Sequence, residues 1–226
     1  MIRAVLFDAV GTLVHLREPV GETYARFARE AGVRIAPAQL QRTFVRVLRS
    51  MPPMAFPGDS SAETQAAERD WWRTVVRSVF DAEGAQPFTD FESFFDRLFA
   101  HYSGAGAWRC ADHAVDTLAA LRARGLRTGL VSNFDHRLPA LLDSLGLAPW
   151  LDTVVLPADA GAAKPDPRIF ALALSRLGVR AGEALYVGDD AEDDVGGATR
   201  AGLQAVDVGT LPDLCALEAL VGAPHR

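Results

Sequence analysis

A chain of 226 residues, 49% hydrophobic and with a formal net charge of −6, suits one large α/β domain or a core domain with a smaller insertion. The acidic balance, with no basic stripe to offset it, argues against nucleic acid as a partner, and no run approaches the ~18 apolar residues that a membrane span needs. The two cysteines, Cys110 and Cys215, lie far apart and form no CxxC pair, so neither a disulfide framework nor structural zinc is expected and a reducing cytoplasm is the default.

The first predicted strand is the apolar run Ile2–Phe7. It has neither the basic start nor the length of a signal peptide. From about Pro19 to Tyr102 the pattern changes to four helices, Val20–Ala31, Pro37–Ser50, Ala62–Asp81 and Phe88–His101. Turns are expected at Gly58-Asp59-Ser60 and Ala85-Gln86-Pro87, and Ser103-Gly104-Ala105-Gly106-Ala107 reads as a flexible return. Strands and helices then alternate: helix His113–Arg124, strand Leu126–Ser132, helix His136–Leu145 and the shorter strand Asp152–Leu156. Helix Arg168–Leu177, strand Ala184–Gly188, helix Asp193–Ala201 and strand Gln204–Val208 complete the series. Gly125, Gly146, Gly178 and Gly202 stand where left-handed helix ends are wanted. This order predicts a Rossmann-like doubly wound parallel α/β sheet with an inserted helical cap. The core would span residues 1–16 and 108–226, and the cap with its return linker 17–107. Ligands of such sheets bind beyond the carboxyl ends of the strands.

Four strand ends carry reactive groups. Asp8 closes the first strand, within FDAVGTLV, where a carboxylate can act as a nucleophile. Alone, it is more often a turn or capping residue. Ser132 and Asn133 end the second core strand in LVSNFD, and their uncharged donors suit phosphoryl oxygens, although they also suit a helix cap. Lys164, in AKPDPRIF, is the one lysine among 23 basic residues. Where arginine serves everywhere else, a lone lysine marks a place for a compact point charge between a carboxylate and a phosphate. Finally, YVGDDAEDDVGGA gathers Asp189, Asp190, Asp193 and Asp194 around Glu192. Such charges suit a solvated helix start, but their mutual repulsion is relieved by a cation. Oxygen ligands from two strand ends, without EF-hand spacing, point to Mg²⁺.

With these motifs in this order, the chain resembles the haloacid dehalogenase superfamily of hydrolases from end to end. The resemblance implies that Asp8 is a nucleophile and metal ligand, with the Val10 backbone carbonyl and Asp189 as further ligands of Mg²⁺. Thr12, Ser132, Asn133 and Lys164 would bind the substrate, a small phosphorylated molecule, with Ser132 and Lys164 also catalytic. Asp193 or Asp194 would support the metal without touching it. In phosphatases of this superfamily a second aspartate, acting as general acid and base, follows the nucleophile by two residues. Here that position is Val10, so weak turnover of alkyl phosphates is expected. Two alternatives stand beside a phosphatase: a metal-independent 2-haloacid dehalogenase, and a catalytically impaired protein that binds a phosphometabolite. The sequence does not indicate an oligomeric state. In the cap, Arg17, Arg69, Trp71, Trp72 and Arg73 are candidates for the cleft.

Overall fold

The computed structural model describes residues 1–56, 61–85 and 88–222. The turns expected at Gly58-Asp59-Ser60 and at Gln86-Pro87 lie outside the described residues. The chain divides into two units. One holds Met1–His15, the described chain from Cys110 onward and a short piece beginning at Met54; the other holds Leu16–Pro53 and the described residues 61–109.

The inserted unit consists of α1 (Val20–Glu30), α2 (Pro37–Ser50), α3 (Ser61–Ala82) and α4 (Phe91–Ser103). Its core is aromatic: Tyr24 stacks on Phe80 at 6.1 Å, and Phe80 meets Phe94 edge-on at 5.3 Å, around buried Leu40, Val75, Val79 and Leu98. The fourth helix begins later than the expected Phe88. Asp90 takes the cap, accepting from Ser93 N–H at 3.0 Å, while Phe88 packs on Phe94 from outside the helix. Two of the candidate cleft cations have structural partners. Arg69 pairs with Asp96 and lies over Phe99, and Arg73 pairs with Asp70 and Glu92. Trp71 donates to the Pro52 carbonyl at 2.9 Å, and both tryptophans pack against the aromatic core.

In the other unit, β1 (Ala4–Phe7) comes first, and β2 (Val14–Leu16) and β3 (Trp108–Cys110), each spanning the division between the units, pair as a two-stranded ribbon where the chain leaves and returns. Neither short strand is evident in the sequence. Next come β4 (Arg127–Val131), β5 (Thr153–Val155), β6 (Ala184–Gly188) and β7 (Gln204–Asp207). With β1 they form a five-stranded parallel sheet in the order β5-β4-β1-β6-β7. Every residue of β1 and β6 is buried, the physical reason both read as unbroken apolar runs. Helices α5 (Ala114–Ala123), α6 (Leu138–Ser144), α7 (Pro157–Ala160), α8 (Pro167–Leu177), α9 (Gly197–Arg200) and α10 (Leu217–Leu220) flank the sheet. From β1 the chain steps to β4 and outward to β5, then crosses to β6 and outward to β7. The direction reverses between β1 and β6, which opens a crevice at their carboxyl ends.

The helix expected at Asp193–Ala201 takes a different form. A π-helical turn, Ala191–Gly196, precedes α9. Asp190 caps it by accepting from Glu192 and Asp193 N–H, each at 2.8 Å. The wide turn carries the Asp194 side chain back to the end of β6, where the approach is so close that a Cβ on Gly188 would lie 2.4 Å from the Asp194 carboxylate.

Among the described residues both cysteines are free thiols, and no helix is long and apolar enough to cross a membrane.

Candidate active site

Parallel register places the first two acidic groups. Phe7 pairs with Val187, and Asp8 N–H donates to the Val187 carbonyl at 2.8 Å. Asp8, one residue beyond β1, therefore stands beside Asp189, one residue beyond β6. The loop after Asp8 closes against that second carboxylate. At Gly11 φ is +99°, and a Cβ there would lie 2.2 Å from Asp189 Oδ2, so only glycine allows both the turn and the approach. An isolated bridge links Val10 to Val14. Its hydrogen bonds, Gly11 N to Val14 O and Val14 N to Ala9 O, do not use the Val10 carbonyl.

Lys164 occupies the centre of the site and is buried. Its ammonium donates to Asp8 Oδ1 at 2.6 Å, to Asp194 Oδ1 at 2.5 Å and to Tyr186 Oη at 3.2 Å. Burial alone would favour the neutral amine, but the facing carboxylates of Asp8 and Asp194 outweigh it and raise the lysine pKa above its ordinary value. Asp8 is raised as well, first by burial, with Lys164 offsetting part of that and Asp194 adding to it. At Asp189, desolvation and then the charges of Asp8 and Asp194 push the carboxyl up to about 6.

The two aspartates of the π turn occupy different places. Asp194 is buried, and both its oxygens are engaged: Oδ1 by Lys164 and Tyr186, Oδ2 by the backbone N–H groups of Asp189 and Asp190, each at 3.1 Å. Asp193 is further out, with Asn133 Nδ2 donating to it at 3.3 Å. Asn133 differs from the expected substrate donor. One Nδ2 hydrogen goes to Asp193 and the other to the Lys164 carbonyl at 3.0 Å, while its Oδ1 accepts from Lys164 N–H at 2.7 Å. With both donors spent, Asn133 fixes the Lys164 backbone. Ser132 is buried at the end of β4, and Thr12 is buried with no hydrogen-bond partner for Oγ1. A buried orphan hydroxyl carries a desolvation cost that a ligand oxygen can relieve.

One oxygen each from Asp8, Asp189 and Asp194 lie within 4.8 Å of one another. Hard carboxylates gathered this closely, with the charges of Asp8 and Asp194 raising Asp189, fit a divalent cation. Both oxygens of Asp194 are already engaged by the lysine, Tyr186 and two backbone amides, so of the three carboxylates it is the one most fully held by the protein itself. Tyr186 is the residue of the site that sequence reasoning missed. The available signal was a phenol in a strand buried on both faces, whose hydroxyl needs a partner.

The fold and this constellation define a hydrolase of the haloacid dehalogenase type. A family profile described as haloacid dehalogenase-like hydrolase matches residues 2–202, and the chain belongs to that family. It is similar to human haloacid dehalogenase-like hydrolase domain-containing protein 3, with 35% identity over 90% of this chain and 80% of the relative. Among solved structures it is similar to a HAD phosphatase from Thermococcus onnurineus, with 26% identity, TM-score 0.63 and 98% of both chains covered. It is also similar to L-2-haloacid dehalogenase from Xanthobacter autotrophicus, with 26% identity, TM-score 0.64 and coverage of 100% of this chain and 85% of the other.

Proposed function

We propose that this protein is a Mg²⁺-dependent phosphohydrolase acting on a small phosphorylated metabolite, with Asp8 as nucleophile and with slow turnover of alkyl phosphates. The observation that carries this reading is the convergence of Asp8, Asp189 and Asp194, two of them, Asp8 and Asp194, paired with one buried ammonium. Mg²⁺, held by Asp8, Asp189 and the Val10 carbonyl, would supply positive charge to the transferring phosphoryl group.

The protein's own groups carry the rest of the reaction. An oxygen of Asp8 attacks phosphorus, the ester oxygen departs with its electron pair, and an aspartyl phosphate forms on Asp8. Lys164 opposes the protonation that burial favours at Asp8 and orients its carboxylate, while Thr12 Oγ1 and Ser132 supply neutral donors to the phosphoryl oxygens. Water then attacks phosphorus, which releases phosphate and regenerates the carboxylate. Val10 can neither protonate the departing oxygen nor take the proton of the incoming water. Leaving groups that depart as stable anions, such as acyl or aryl oxygens, are therefore favoured.

Val10 also favours a second reading, since a departing halide needs no proton: attack of Asp8 on the halogen-bearing carbon of a 2-haloacid. Assays of a phosphoester panel and of 2-chloro acids, each with and without Mg²⁺, separate the two. Mg²⁺-dependent phosphate release from aryl or acyl phosphates is the expected result. Chloride release that does not depend on the ion, with no phosphate release, would overturn the phosphohydrolase reading.

A further inference from the structure

A lysine ammonium carries three N–H donors and no acceptor. In Lys164 all three are matched within the protein, by Asp8 Oδ1, Asp194 Oδ1 and Tyr186 Oη. None remains for a substrate, yet the proposed chemistry, on which this inference rests, needs this ammonium on an anionic oxygen. One partner has to yield. Asp194 is pinned through Oδ2 by two backbone N–H groups, and its bond to Lys164 joins opposite charges in a buried place. Asp8 is the other charged partner and the nucleophile. Tyr186 is neutral, and its contact is the longest of the three.

Tyr186 can also release the ammonium at little cost. Its single O–H has two acceptors within reach, the Val131 carbonyl at 3.0 Å and Asp194 Oδ1 at 2.9 Å. When Lys164 turns away, the phenol keeps its own donated bond and loses only an incoming one. An unfilled lone pair is a smaller penalty than a buried N–H without an acceptor. The ring is held independently, edge-on to Phe170 at 5.2 Å.

We propose that Tyr186 is a positioning residue that holds the third N–H of Lys164 in the ligand-free protein and yields it to an anionic oxygen of the substrate. The consequence has a definite sign. Tyr186→Phe keeps the ring but leaves that N–H unmatched until an anion arrives, so the anion should bind more tightly. The gain should be on the order of two- to tenfold, the worth of one hydrogen bond. A residue that only supports the fold would give a lower melting temperature with equal or weaker binding.

Because Lys164 is the only lysine, full-length protein labelled with ¹⁵N at lysine Nζ gives one ammonium resonance. In the parent, three hydrogen bonds should slow its proton exchange and make it visible. In Tyr186→Phe it should exchange faster and broaden, and orthovanadate with Mg²⁺ should restore it. The orthovanadate Kd, measured on both proteins, supplies the second readout. Unchanged Nζ exchange, or weaker vanadate binding in the variant, would overturn the proposal. Faster exchange without any vanadate affinity in either protein would overturn the hand-over and the phosphohydrolase reading together. Vanadate binding in the parent that Tyr186→Phe leaves unaltered sinks the hand-over alone. Should the variant fail to fold, the parent decides: among its three tyrosines, the ring-¹³C signal of Tyr186 should move at saturating vanadate, and a fixed signal counts against the exchange.

Discussion

In the proposed reaction Asp8 displaces a leaving group, and Val10, two residues further on, has no proton to give that group. Val10→Asp is similar in volume and leaves the backbone carbonyl in place. It should accelerate alkyl phosphate hydrolysis by at most the ~10²–10⁴ that general acid–base help is worth, and acyl phosphates by less. Comparing kcat/KM for the two substrate classes in parent and variant checks this, and a parent already fast on alkyl phosphates would show that another residue supplies the proton. Lys164 tests the opposite property, shape at constant charge. Its ammonium fits among Asp8, Asp194 and Tyr186 with each contact at 3.2 Å or less, whereas a planar guanidinium cannot point three donors at one such cluster. Lys164→Arg should weaken orthovanadate binding by about tenfold or more, roughly 1.4 kcal/mol. Equal affinity in the two proteins would return Lys164 to a purely structural role.

Local segments explain which features the sequence discloses. β1 and β6 are legible because central strands of a parallel sheet must be apolar on both faces, and Asp8 and Asp189 are legible because each interrupts such a run at its carboxyl end. Gly125, Gly146, Gly178 and Gly202 all adopt positive φ, since a helix end that turns left-handed selects glycine over any residue with a Cβ. The support of Lys164 is not legible. Asn133 grips the Lys164 backbone across 31 residues, and Asp194 reaches back through a π turn that has no periodic signature. Those contacts depend on loop conformation, which patterning does not encode. Gly11 lies between these cases: a turn glycine in the sequence, but in the structure the residue that makes room for Asp189. Gly11→Ala should cost on the order of 1–3 kcal/mol from its positive φ and should displace Asp189, removing any gain in thermal stability from Mg²⁺. A variant that keeps the full Mg²⁺ effect would place the ion elsewhere.

At the level of the whole molecule, the crowded carboxylates link stability, pH and cation binding. Without a cation, Asp189 holds its proton up to about 6, against an ordinary value of 3.8. The folded protein thus binds more protons than the unfolded chain between those values. This group's contribution to stability therefore rises as pH falls through that window and is lost as pH rises through about 6. A bound cation reverses the preference, because it needs the ionised carboxylate. Millimolar Mg²⁺ should raise the Tm clearly at about pH 7.5 and progressively less below about pH 6, and Asp189→Asn should abolish the gain at every pH. Thermal scans across that range check it, and a gain independent of pH would argue against Asp189 as a ligand. The β2–β3 ribbon has a consequence of another kind. Arg17 N–H donates to the Ala107 carbonyl at 2.9 Å, and Ala111 N–H to the Leu13 carbonyl at 2.8 Å. The inserted segment, from Arg17 to Ala107, thus has its two ends one hydrogen bond apart, and so does the chain that receives it, at Leu13 and Ala111. Closing so small a gap carries a loop entropy that grows only slowly with what lies between. The insertion has the form of a cassette: its length can change at little entropic cost, while the strand order that brings Asp8 to Asp189 does not depend on it.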